Sequence, residues 1–112
     1  MKKIIGYCRV STSNQNEECS INLQRQAMNE YAALNGYELA AIFEDDGVSG
    51  GLENRAGLAD MFNYLEAEDN KDIDVVLIFK LDRLARDLYI QEHLIKKLES
   101  LNVKIHSTYS FH

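Results

Sequence analysis

No proline occurs among the 112 residues, so the chain holds no proline-rich linker, and neither an internal repeat nor a low-complexity segment is visible. Long apolar runs are missing too. No stretch approaches the ~20 apolar residues that a membrane span needs. The run that opens the chain, Ile4-Ile5-Gly6-Tyr7, is too short for the core of a secretory signal. A cytoplasmic location is the expectation. Cysteine is scarce: Cys8 and Cys19 are the only two, which fits free thiols better than a disulfide. Cys8 reads as a buried thiol before it reads as a nucleophile. His93, His106 and His112 stand far apart without ligand-like spacing, which speaks against a transition-metal site. There is no GxxxxGK[ST] element, so nucleoside triphosphate binding has no support. Positive charge is in deficit, with 18 acids against 12 lysines and arginines and a net charge of −6. That counts against a stand-alone DNA-binding domain with a broad basic footprint. A local basic patch is still open, because local arrangement decides what binds.

What the chain does have is an ordinary globular mix, 46% hydrophobic and 27% charged, enough for one domain with a modest core. Residues 4–10 are β-rich and long enough for a strand, and residues 11–19 form a polar loop. Ser20 is placed to cap a helix in which Leu23, Ala27, Met28, Tyr31 and Leu34 recur at helical spacing. Gly36 stands where a left-handed residue ends that helix. Residues 37–43 read as a second strand, and 44–55 as a long loop made pliable by Gly47, Gly50 and Gly51. Asn54 is expected to cap a second helix with Leu58, Met61, Phe62 and Leu65 as its apolar stripe. Residues 73–79 suit a strand covered on both faces. Residues 80–86 are a loop or first helical turn. Leu94, Ile95, Leu98 and Leu101 mark a third helix, and 103–107 a short fourth strand. The alternation predicts an α/β fold of three layers: a mostly parallel sheet of four to five strands with helices on both faces. In such sheets the ligand lies beyond the carboxyl ends of the strands, where strand order reverses. A strand order of 2-1-3-4 makes strands one and three neighbours at that crevice.

Both of those strands run straight into arginines. The segments are Tyr7-Cys8-Arg9-Val10-Ser11 and Lys80-Leu81-Asp82-Arg83-Leu84-Ala85-Arg86-Asp87. Arginine presents a fixed fork of donors that matches phosphate oxygens and stays charged at ordinary pH. Arg9 and Ser11 alternate along a strand and so share a side, and Arg83 and Arg86 share a face on a helical turn. A serine hydroxyl is a poor nucleophile unless activated, and no histidine stands near Ser11 in sequence. Positive charge is the available help. The plainer alternative makes Ser11 a loop or cap residue and leaves the arginines solvated. Asp82 is either a proton-exchanging or arginine-orienting acid, or an ordinary helix-start acid. Asp87 fits a helix cap better than the site. Lys80 is a candidate phosphate contact, with a solvated strand end the better reading. Gln15 and Gln24 are candidate contacts to the site or to DNA, although a solvent face suits Gln24 better. The pair Asp45-Asp46 suggests a divalent cation at first sight, but the spaced ligands of a calcium loop are missing. A mobile loop carrying Ser49 and Arg55 toward a phosphate fits better.

Taken together, these segments resemble the catalytic domain of the serine recombinases, the resolvase and invertase family. The likeness runs through Tyr7-Cys8-Arg9-Val10-Ser11-Thr12, Gln15, and Ser20 with Gln24, whose spacing looks like that of the large serine recombinases and transposases. It continues through Asp46-Gly47-Val48-Ser49-Gly50 with Arg55, and from Asp74-Val75-Val76 to Asp87. It covers essentially the whole chain and implies a resolvase-like catalytic fold over residues 1–112. It also implies that Ser11 attacks a DNA phosphodiester, giving a 5′-phosphoserine link and a free 3′-hydroxyl. Arg9, Arg83 and Arg86 would hold the scissile phosphate, Arg55 would join from its loop, and Asp82 would be the acid–base candidate. Tyr7, Gln15, Asp46 and Ser49 would support the site. No cofactor, metal or ATP would be needed. Strand exchange would occur in a tetramer assembled from homodimers, away from any membrane. The chain departs from a complete family member by stopping soon after the fourth strand, so it looks truncated, without the dimerisation helix and DNA-binding domain. Ala56, where large members often carry proline, is a minor departure. Two other readings compete. A phosphate-binding module without covalent chemistry would tolerate the loss of Ser11 or one of the arginines, yet all are present. A receiver-like signalling domain needs acids at the end of strand one, where Arg9 and Ser11 stand instead.

Overall fold

The computed structural model describes residues 2–10, 20–46, 55–80, 84–85 and 87–108, with Asp46 described through its main chain only. Strand β1 (Lys2–Val10) is buried at every position from Ile4 onward, because both its faces are covered. Helix α1 (Ile21–Asn35) starts where expected: Ser20 Oγ accepts from Leu23 N–H at 3.1 Å. It ends at Gly36, whose φ of 69° lies in the left-handed region. Strand β2 (Tyr37–Asp46) pairs in parallel with β1, and the pairing continues through Cys8–Glu44, Arg9–Asp45 and Val10–Asp46. The strand therefore runs past its expected end at Phe43, and the acids assigned to a loop belong to it. Ladder hydrogen bonds to β1 override the low strand propensity of Asp and Glu.

Helix α2 (Ala56–Glu66) buries Leu58, Met61, Phe62 and Leu65 as its spacing predicts. Its expected cap, Asn54, lies outside the described residues. A short 3₁₀ turn (Glu68–Asn70) leads to strand β3 (Val75–Ile78), which is shorter than the apolar run that contains it. Asp87 caps helix α3 (Leu88–Ser100), accepting from Tyr89 N–H at 2.8 Å and Ile90 N–H at 3.3 Å. Strand β4 (Lys104–Ser107) completes the described sheet.

The sheet has four strands in the order β2-β1-β3-β4, all parallel. Helix α1 packs Met28 and Ala32 against Ile4, Cys8, Val75 and Leu77 on one face. Helices α2 and α3 cover the other, where Ile5, Tyr7 and Val76 meet Leu58, Met61 and Leu94. These are the three layers that the sequence predicts, and β1 and β3 are neighbours as the proposed strand order requires. Among the described residues no helix is long and apolar enough to cross a membrane.

Candidate functional site

The carboxyl end of β1 carries Tyr7 and Arg9, which strand alternation sends to the same side. Both are buried: Tyr7 is 0% and Arg9 1% exposed. The Tyr7 hydroxyl donates to Asp45 Oδ2 at 2.6 Å and accepts from Arg55 Nε and Nη2 at 3.2 and 2.8 Å. The guanidinium carbon of Arg55 lies 5.4 Å from the centre of the Tyr7 ring, within cation–π range. The Asp45 carboxylate also accepts from Gly57 N–H at 2.8 Å and Leu58 N–H at 3.0 Å. It thus caps α2 from a neighbouring strand, since Arg55 at the cap position makes no side-chain cap bond. A negative charge there is favoured by the helix dipole.

Burial is the main force that raises the Tyr7 pKa well above the usual phenol value. The hydrogen bond to Asp45 adds to it, and the nearby charge of Arg55 opposes it. Tyr7 is therefore a neutral connector between an acid and a cation. Arg55 is 2% exposed and its Nη2 also donates to the Leu84 carbonyl. Its Nη1 is buried without a hydrogen-bond partner, and among the described residues no carboxylate lies within ion-pair distance of the guanidinium.

The second arginine-bearing segment is visible at its anchors. Leu84 and Ala85 are fully buried. The Leu84 carbonyl is held by Arg55, and the Ala85 carbonyl by Gln91 Nε2 from α3. The main chain between Arg83 and Arg86 is thereby tied to Arg55 and, through it, to Tyr7 on β1. Lys80 is half-buried, with its ammonium 5.9 Å from the centre of the Phe79 ring. Ser11, Gln15, Ser49, Asp82, Arg83 and Arg86, and the side chain of Asp46, lie outside the described residues.

Gln24 requires a correction. The sequence predicts a solvent face for it, but it is 0% exposed. Its Oε1 accepts from Arg9 N–H at 3.3 Å and its Nε2 donates to the Arg9 carbonyl at 3.2 Å. The buried stripe of α1 is Gln24, Met28 and Ala32, whereas Leu23 and Leu34 are 39% and 86% exposed. An apolar spacing count misses this because the sheet presents main-chain polar groups to the helix at that point. Sequence reasoning also missed Asp45 as part of the site. The signal was available: extending β2 in register with β1 sets Asp45 opposite Arg9. Among the described residues no group of three or more His, Cys, Asp or Glu side chains is arranged to hold a metal.

The family model for the resolvase N-terminal domain matches residues 4–110. DNA-invertase hin of Salmonella typhimurium is 39% identical over 103 residues, 92% of this chain and 46% of the invertase. The chain spans about half the length of the curated relatives it matches. Among solved structures, the N-terminal catalytic domain of TP901-1 integrase aligns with a TM-score of 0.80 at 30% identity, covering 96% of this chain and 77% of that one. A resolvase family site-specific recombinase from Streptococcus pneumoniae aligns with a TM-score of 0.81 at 30% identity, covering 96% of this chain and 72% of that one.

Proposed function

The chain belongs to the resolvase N-terminal domain family, and from that premise we propose that residues 1–112 are the catalytic domain of a site-specific DNA recombinase. Ser11 Oγ attacks a backbone phosphorus. The bond from phosphorus to the 3′-oxygen breaks, leaving a 5′-phosphoserine link and a 3′-hydroxyl that takes up the proton. Asp82 is the candidate for moving that proton. Arg9, Arg55, Arg83 and Arg86 neutralise the phosphate and the charge that builds up as the fifth oxygen approaches. The reverse attack by a 3′-hydroxyl reseals the strand. One phosphodiester is exchanged for another of similar energy, so no nucleotide hydrolysis is required. Homodimers pairing into a tetramer bring together the strands to be exchanged. Gln15, Asp46, Ser49 and Lys80 are supporting candidates around this centre.

The observation that carries the reading is the buried guanidinium of Arg55, positioned by Tyr7 and Leu84 with Nη1 left over. A buried cation with no carboxylate partner among the described residues is costly, and an anionic oxygen is the natural complement. The test incubates the intact gene product with a pool of nicked duplexes whose central segment is randomised. A denaturant-resistant protein–DNA adduct is expected, mapped by mass spectrometry to the peptide containing Ser11 and lost in Ser11→Ala. An adduct that survives Ser11→Ala, or none from the wild type, overturns the proposal.

A further inference from the structure

We propose that Gln24 is a positioning residue: it locks the main chain of Arg9, two residues before Ser11 in sequence, so that the Arg9 guanidinium leaves β1 in a fixed direction. This rests on the recombinase reading above. A primary carboxamide carries the same donor–acceptor pair as a peptide group. Gln24 therefore does for Arg9 what a residue of a neighbouring strand does elsewhere in the ladder. The shape of the sheet explains the need. β1 pairs with β2 as far as Val10, but its registered pairing with β3 ends at Gly6–Leu77. Past Gly6 that registered pairing is not continued, and every buried main-chain group of β1 needs a hydrogen-bond partner. Helix α1 supplies a partner for Arg9 through Gln24, at the head of its buried stripe.

Burial removes Gln24 from direct contact with DNA, and its paired hydrogen bonds separate it from a side chain that merely fills space. The distinction is open to measurement in the intact gene product. Gln24→Met keeps the length and removes both hydrogen bonds. Gln24→Glu keeps the acceptor for Arg9 N–H and loses the donor. Ser20→Ala removes the α1 cap and destabilises the fold without touching Arg9. The readouts are urea stability, hydrogen exchange at the Arg9 amide, affinity for the nicked duplex pool, and the rate of Ser11 adduct formation at saturating DNA. Gln24→Met should free the Arg9 amide and slow adduct formation by roughly 100-fold, the scale of a misplaced reacting group, with affinity unchanged. Gln24→Glu should fall between Gln24→Met and the wild type, and Ser20→Ala should keep the wild-type rate. A Gln24→Met or Gln24→Glu protein slowed no more than Ser20→Ala overturns the positioning role. A wild type that forms no adduct overturns the recombinase reading and this role with it, while exchange at Arg9 reports separately whether the clamp exists.

Discussion

Tyr7 uses the whole hydrogen-bonding capacity of a phenol at once: it donates to Asp45 and accepts twice from Arg55. Removing that one oxygen leaves a buried carboxylate short of a donor and a buried guanidinium short of an acceptor. Tyr7→Phe keeps the ring and its packing, so the loss isolates the polar triangle. It should cost about 1–3 kcal/mol of stability, the penalty for unsatisfied buried polar groups, read from urea denaturation. A variant within ~0.5 kcal/mol of wild type, the range of an ordinary surface change, would show that the triangle carries no weight. At this scale the sequence disclosed Tyr7 and Arg55, because each sits in a recognisable arginine- or glycine-bearing segment. It hid Asp45, whose role depends on which strand residue stands opposite Arg9, and Gln24, whose partner is a main-chain group that no side-chain pattern records.

Element boundaries divide in the same way. The starts of α1 and α3 and the end of α1 were legible because Ser20, Asp87 and Gly36 act on residues within a turn of themselves. The end of β2 and the start of α2 were not, because both are set by partners distant in sequence. The two meet at Gly57. A Cβ there would lie 2.3 Å from the Glu44 carbonyl oxygen and 2.7 Å from its carbon, both main-chain atoms of the neighbouring strand. Only glycine lets α2 approach closely enough for the Asp45 carboxylate to reach the Gly57 and Leu58 amides. Gly57→Ala should therefore push α2 off β2 and cost about 1–3 kcal/mol, as overpacking does, despite alanine's higher helix propensity. A rise in the urea midpoint instead would mean that the approach is slack. On the proposed recombinase function, weaker DNA cleavage should accompany the loss, since Arg55 immediately precedes α2 and moves with it.

Over the whole molecule, burial of neutral acids sets how the fold meets alkali. Cys8 is fully enclosed between β1 and α1, with Met28 Sδ 3.8 Å from its sulfur. Burial pushes its thiol up to about 12, with Glu44 adding to the rise and Arg25 opposing it. The Tyr7 pKa is raised as well, chiefly by burial. Each group holds its proton in the folded chain at pH values where the unfolded chain releases it. Protons bound to the native state in excess of the unfolded state make stability fall as pH rises. The contribution of Cys8 is complete below the ordinary thiol pKa of about 8.5. It is lost progressively as pH climbs toward about 12. An unperturbed tyrosine titrates near 10, so the interval between pH 8.5 and 10 belongs mainly to the thiol. Wild type should lose stability across that interval, and Cys8→Ala should lose about 2 kcal/mol less, the cost of roughly 1.5 pH units for one ionisation. The comparison uses the change with pH within each protein, so the cavity left by the smaller side chain cancels. Parallel pH profiles for the two proteins would mean that the thiol ionises as readily inside the fold as outside it. The enclosed layer between α1 and the sheet would then be open to hydroxide.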